Sequence, residues 1–133
     1  MMILDIHNYA KQVAAELTAS TCSQPFTSEC DVYKVFNKIY LMIYFLNNQP
    51  VVNLKVSPQH GEMLRDFYSF IHTGYHMNKQ HWITLYTHPD LSKELLHELI
   101  YNSYTLVCSK LNKNQKQQLT ILKSISSHIK KDQ

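Results

Sequence analysis

Between residues 32 and 56 the chain carries three apolar, strand-length runs divided by two very short breaks: Val32 to Phe36, Ile39 to Leu46 and Val51 to Val56. Asn37-Lys38 and Asn47-Asn48-Gln49-Pro50 separate them, and asparagine tolerates the positive φ that tight hairpin turns need. Connections this short cannot hold a crossover, so the strands must pair antiparallel. The middle run is apolar on both alternations, which predicts a central strand. In the third, Val52, Leu54 and Val56 alternate with Asn53 and Lys55, which predicts a sheet with one covered and one wetter face.

Helical periodicity flanks this meander. Over residues 5–19, Ile6, Tyr9, Ala10, Val13 and Leu17 recur at spacings of three and four, with Asp5 placed to cap the start. The Ser/Thr-rich stretch Thr18 to Thr27 reads as a connector. Ser57-Pro58 is a helix start, and Met63, Leu64, Phe67 and Ile71 then give the buried stripe of a short helix. Trp82 to Thr87 alternates as a strand, and His88-Pro89-Asp90 ends it. Residues 92–110 form the strongest helix, and after a polar break at Asn112 to Gln115 a last helix carries Leu119, Leu122, Ile125, Ser126 and Ile129. The element order α-β-β-β-α-β-β-α plus a C-terminal helix is that of an α+β fold, two-layer, with an antiparallel sheet and helices on one face.

At 133 residues the chain is expected to be a single domain, with residues 1–111 as its body and 112–133 as a basic amphipathic helix packed on it or extending from it. The charge is uneven. Residues 1–109 hold seven Lys/Arg against nine Asp/Glu, a net of −2, whereas residues 110–133 hold six Lys against one Asp, a net of +5. The overall +3 is therefore no argument for nucleic acid by itself. Cys22, Cys30 and Cys108 are odd in number and lack CxxC spacing, the pattern of reduced thiols in a cytoplasmic protein. Asp5 lies early, no long apolar run follows it, and Ile39 to Leu46 is too short to span a bilayer, so neither a signal peptide nor a membrane association is expected.

The densest chemistry lies in Gly74-Tyr75-His76-Met77-Asn78-Lys79-Gln80-His81-Trp82. Taken as a hairpin with Asn78-Lys79 as its two-residue turn, this segment pairs Met77 with Gln80, His76 with His81 and Tyr75 with Trp82. Both imidazoles would then share one face, with Cβ atoms about 5 Å apart. A metal could use that pair, but a zinc or copper site needs three or four ligands, and only His72 and His88 are near in sequence. A histidine could move a proton, yet no nucleophile elbow, phosphate-binding glycine loop or paired carboxylate accompanies it. No catalytic residue, metal or cofactor is therefore expected. A recognition surface uses the segment best: Tyr75 and Trp82 for stacking, Lys79 for phosphate, and His76, Asn78 and His81 for hydrogen bonds. The plainer alternative places the aromatics in the core and the polar groups on backbone, with Gly74 needed only for a positive φ at the strand entry.

Lys34, Lys38 and Lys55 lie on the first three strands or their turns, and with Lys79 would line one sheet face as phosphate contacts or as a solvated surface. Lys110, Lys113, Lys116, Lys123, Lys130 and Lys131 read as the wet side of the last helix. His7, His60, His97 and His128 are isolated, and Ser103-Tyr104 reads as a helix-to-sheet contact.

From Asp31 to Leu111 the chain resembles the MmcQ/YjbR family of small bacterial proteins. The resemblance rests on Val32-Tyr33-Lys34-Val35, Lys38-Ile39, Asn53-Leu54-Lys55, the Tyr75-His76-Met77-Asn78-Lys79 run ending in His81-Trp82, and Leu91 through Tyr104. It implies a two-layer domain with a curved antiparallel sheet, of CyaY-like or secretion-chaperone-like type, and a DNA-binding role. The chain departs from the family pattern at Asn37, where many relatives have glycine, and at Ile83, where they are polar. The expected function is a non-catalytic binding domain for nucleic acid through Tyr75, His76, Asn78, Lys79, His81 and Trp82, aided by Lys34, Lys38 and Lys55. A protein-interaction or homodimerising module is the alternative, and a small-molecule or metal site at the histidine ribbon the third.

Overall fold

The computed structural model describes residues 3–131, with side chains described as far as residue 127. The side chains of His128, Ile129, Lys130 and Lys131 lie outside the described residues. Four helices, α1 (Ile6–Glu16), α2 (Pro58–Phe67), α3 (Lys93–Cys108) and α4 (Lys113–Lys131), accompany six strands: β1 (Ser20–Ser23), β2 (Asp31–Val35), β3 (Lys38–Leu46), β4 (Gln49–Lys55), β5 (Ile71–Thr73) and β6 (Trp82–Tyr86). The strands form one antiparallel sheet in the order β1-β2-β3-β4-β6-β5. This is the expected α+β architecture.

The start signals read at Asp5 and Ser57 act as such, and Ser92, not singled out in the sequence, caps α3 in the same way. Asp5 Oδ1 accepts the Asn8 amide at 3.1 Å, Ser57 Oγ the His60 amide at 3.3 Å, and Ser92 Oγ the Leu95 amide at 3.1 Å. Asn112 and Gln115 cap α4 reciprocally, at 2.8 and 3.1 Å. The hairpin turns differ by one residue at the first break. Val35 pairs with Lys38, so the turn is Phe36-Asn37, at φ 45° and 72°. At the second, Asn47 and Asn48 sit at φ 52° and 64°, and Gln49 already pairs with Leu46. Pro50 therefore enters β4, but one residue before β4 begins to pair with β6 at Val51, so its missing N–H breaks no ladder bond there.

Helices α1 and α3 cover one face of the sheet. Ile6, Ala10 and Val13, with Leu96, Leu99, Ile100, Tyr104 and Val107, bury Val35, Leu41, Ile43, Val52, Leu54, Ile83 and Leu85. Burying side chains of this size contributes roughly 1.5–3 kcal/mol each, the main favourable term here. A register shift gives this face an extra residue. Tyr33 pairs with Leu41 and Lys34 with Ile39, which leaves Tyr40 bulged and fully buried beside Leu41. Ser103 of α3 meets the bulge: its hydroxyl donates to the Tyr40 carbonyl at 2.6 Å and accepts the Lys55 amide at 2.8 Å. Tyr104 donates to the Thr18 carbonyl at 2.7 Å, so the Ser103-Tyr104 pair is the packing contact expected. His7 also packs a helix on the sheet, its Nε2–H lying 2.9 and 3.1 Å from the Tyr44 and Val51 carbonyls.

Three expectations are corrected. The stripe read as buried on α2 is not: Met63 and Phe67 are exposed, only Gly61 and Leu64 are buried on the helix, and Ile71 lies beyond its end, in β5. The Thr18 to Thr27 connector contains strand β1, an edge strand that is almost wholly exposed and is held by pairing with β2. Short Ser/Thr/Cys segments have no apolar alternation, so nothing in them announces a strand. The second sheet face is also not wet. Val32, Val51 and Asn53 are fully buried on it, and Cys30, Val32 and Met42 form a second cluster joined by Ile39, Tyr44 and Met77. Met77 lies far along the chain, so a loop must fold over this face. Among the described residues no helix is long and apolar enough to cross a membrane.

Candidate binding surface

The loop over the second face is the segment singled out from sequence, but it is not a two-residue hairpin. The β5–β6 ladder ends at Thr73 opposite Ile83, and the Gly74 amide donates to the Trp82 carbonyl at 2.8 Å. This register is one residue away from the expected pairing of Tyr75 with Trp82. Residues 75–81 are then a seven-residue excursion, so no ribbon sets His76 across from His81. The tight turn is replaced by two local ones, from the Met77 amide to the Gly74 carbonyl and from the His81 amide to the Asn78 carbonyl. Asn78 Oδ1 also accepts the Gln80 and His81 amides, at 2.9 and 3.2 Å, which fixes this end of the loop. His76 takes φ 58°. Gly74 does not have the expected positive φ and is required by space instead: a Cβ there would stand 2.5 Å from that of Trp82.

A buried polar network ties the loop to the sheet. Asn53, Thr84 and Met42 are consecutive partners across β3, β4 and β6, so they share the face under the loop. Thr84 Oγ1 accepts the Tyr75 amide at 3.0 Å and donates to Asn53 Oδ1 at 2.7 Å. The Tyr44 hydroxyl donates to the same Oδ1 at 3.0 Å, and Asn53 Nδ2 donates to the Tyr75 carbonyl at 3.4 Å. Both backbone polar groups of Tyr75 are thus held by two side chains with almost no exposure. Asn53 was read as part of a wet alternation. It instead donates to the crossing Tyr75 backbone and accepts from the Tyr44 and Thr84 hydroxyls, and such pairing is the usual condition for burying an amide.

With its backbone fixed, the loop presents its side chains. Tyr75 is 45% exposed, and its ring lies 4.1 Å from that of His76. His76, Asn78, Lys79 and His81 are exposed. Trp82 is only 9% exposed, so its ring is part of the packing and cannot stack on a ligand. Beside the loop lies an apolar cleft of about 400 Å³, with Met42, Tyr44 and Asn53 on its floor and Phe26, Phe45, Tyr75 and Met77 around it. Phe26 and Phe45 are 64% and 55% exposed. These two aromatics and Met42 were missed from sequence. Phe45 read only as strand apolarity and Phe26 only as loop, and neither carries a signal until the chain closes.

Lys34 and Lys55 each lie two residues beyond a partner of Met42, on β2 and β4, so they flank β3 on this same face. Lys38 does not join them. It pairs with Val35, which faces the helices, so it belongs to the other side of the sheet. Burial, and then the Asp31 carboxylate, pushes Cys30 above its ordinary 9.0, and burial likewise raises Cys108. Burial also raises the Tyr44 hydroxyl. Among the described residues no three His, Cys, Asp or Glu side chains gather as a metal site would need.

The profile of a family described as YjbR matches residues 15–106. The uncharacterized protein YbdF of Escherichia coli O157:H7 is 38% identical over 114 residues, covering 86% of this chain and 93% of that protein. The uncharacterized protein YjbR of Escherichia coli K12 is 35% identical over 71 residues, 53% of this chain and 60% of that one. Protein DR2400 of Deinococcus radiodurans, whose crystal structure carries a DUF419 domain, superposes with a TM-score of 0.75 at 35% identity, over 83% of this chain and 84% of that one. A Pseudomonas syringae protein superposes at 0.62 with 25% identity, over 76% and 94%.

Proposed function

The chain belongs to the YjbR family, and from that premise we propose that it is a non-catalytic binding domain for nucleic acid with unpaired bases. The observation that carries this reading is the pinned loop. Its backbone is committed to Asn53 and Thr84, while the Tyr75 ring and the polar ends of His76, Lys79 and His81 stay outward. An exposed aromatic next to an apolar cleft suits a base released from its stack, and base–aromatic stacking is worth about 1–3 kcal/mol. Lys34, Lys55 and Lys79 are the phosphate contacts, with His76 and His81 as hydrogen-bonding partners. Trp82 and Lys38 drop out of the contact set, for the burial and the strand face given above. The acidic balance of residues 1–109 favours a single strand over a duplex, which demands a wider basic footprint.

Fluorescence anisotropy of a labelled single-stranded oligonucleotide across a salt series tests this. Wild type should bind at low salt. Replacing Lys34, Lys55 and Lys79 together by alanine should flatten the salt dependence by about two, at roughly 0.7 per phosphate contact on a single strand. Undetectable binding at low salt sinks the reading.

A second reading, a protein-interaction or self-associating module, is favoured by a different observation. Met63 and Phe67 on α2 and Ile121, Leu122 and Ile125 on α4 are large, apolar and exposed.

A further inference from the structure

Helices α2 and α4 each turn an apolar stripe to solvent, and the two stripes carry opposite charge. On α2, Gln59, Glu62, Met63, Asp66 and Phe67 follow the three-and-four spacing of one helix face and line one shallow groove. Met63 is 60% and Phe67 77% exposed. On α4, Lys113, Lys116, Gln117, Thr120 and Ile121 follow the same spacing and line another groove, which Ile125 extends. The helix α4 contains no acidic residue. Among the described residues, the only ion pairs are Lys11 with Asp31 and His88 with Asp90, so the charges bordering both stripes are unspent.

We propose that the α2 stripe is the docking site for the α4 stripe of a second copy of this chain. This rests on the self-association reading and is independent of nucleic-acid binding. The geometry matches at the scale of a helix pair: with the two helices parallel, Glu62 and Asp66, four residues and about 6 Å apart, stand opposite Lys113 and Lys116, three residues and about 4.5 Å apart. Phe67 then comes beside Ile121, Met63 packs on the lysine stems, and Ile125 lies past the end of α2, outside the contact. Pairing two α4 stripes instead would set lysine against lysine, and pairing two α2 stripes would set acid against acid. Like charges so placed are disfavoured, and the sequence selects the mixed contact.

Sedimentation equilibrium of the full chain reads this directly. Wild type should exceed the monomer mass of 15.6 kDa and fall toward it as salt rises. The double variants Glu62→Lys/Asp66→Lys and Lys113→Glu/Lys116→Glu should each weaken association by about tenfold or more. All four sites are exposed, so both variants should keep the wild-type circular dichroism. An equimolar mixture of the two should associate again, because each α4 then meets an α2 of opposite charge. A monomeric wild type at millimolar concentration overturns the proposal. So does the α2 reversal leaving association intact, the result an α4–α4 pairing gives, or a mixture that stays monomeric. Phe67→Ser, which carries no charge change, must weaken association as well. Oligonucleotide affinity is measured on the same samples, so the two readings fail separately.

Discussion

Asn53 is the residue on which the position of the loop over the second sheet face depends. It lies mid-strand, without exposure, and serves the Tyr44 hydroxyl, the Thr84 hydroxyl and the Tyr75 carbonyl together. Asn53→Leu keeps the volume but strands those groups. It should cost about 1–3 kcal/mol in urea unfolding, and it should speed hydrogen exchange at the Tyr75 amide, whose acceptor Thr84 loses its own anchor. Loss of stability without faster exchange at Tyr75 would dissociate the network from the loop. Buried phenols and thiols give a second prediction. Burial pushes Tyr40 from 10.0 up to about 12, and it raises Tyr33, Tyr44, Tyr104, Cys30 and Cys108 as well. Each group holds its proton more tightly folded than unfolded. Their contributions are intact below the unfolded values, near 9 for thiols and 10 for phenols, and are lost as pH climbs through the folded ones. The urea midpoint should therefore be flat near neutrality as far as these groups act, and fall steadily above about pH 9.

At the scale of elements, turn chemistry and helix docking decide register. Asn37 sits at φ 72°, a conformation that asparagine accepts and a β-branched residue resists. Asn37→Val should destabilise by about 1–2 kcal/mol, while Asn37→Gly should be neutral or slightly stabilising, as thermal denaturation will show. Equal effects of the two would mean the turn is not held at positive φ. The bulge at Tyr40 depends on α3, because Ser103 answers the carbonyl that the bulge exposes and the Lys55 amide beside it. Neither the bulge nor strand β1 has a local signature. The bulge needs a helix above it, and β1 gains its ladder only because β2 offers a free edge.

Across the whole molecule, the two sheet faces have separate work. The helix-covered face supplies the main core, and the loop-covered face holds the backbone of residues 75–81 while leaving most of their side chains exposed. Removing residues 112–133 should leave the body folded, since α4 contributes one well-buried side chain among those described, Leu119. The truncated chain should keep its oligonucleotide affinity, because none of its proposed contacts is on α4, but should lose self-association. Loss of oligonucleotide binding on that truncation would move the basic surface from the sheet to the last helix.

The sequence by itself determined what depends on neighbours in the chain. Asn-rich turns, Ser and Asp caps, Pro58 and the three-and-four apolar spacing placed the meander and all four helices, because those preferences are set within a few residues. It also marked residues 74–82 by their chemistry. What the segment becomes was decided only by the tertiary structure. An isolated reading of Asn78-Lys79 favours a hairpin, but Asn53 and Thr84, which lie remote in sequence, offer the Tyr75 backbone better partners inside a low-dielectric interface. That pull bends the chain across the sheet, buries Trp82, separates the paired histidines and builds the cleft between Tyr75 and Phe45.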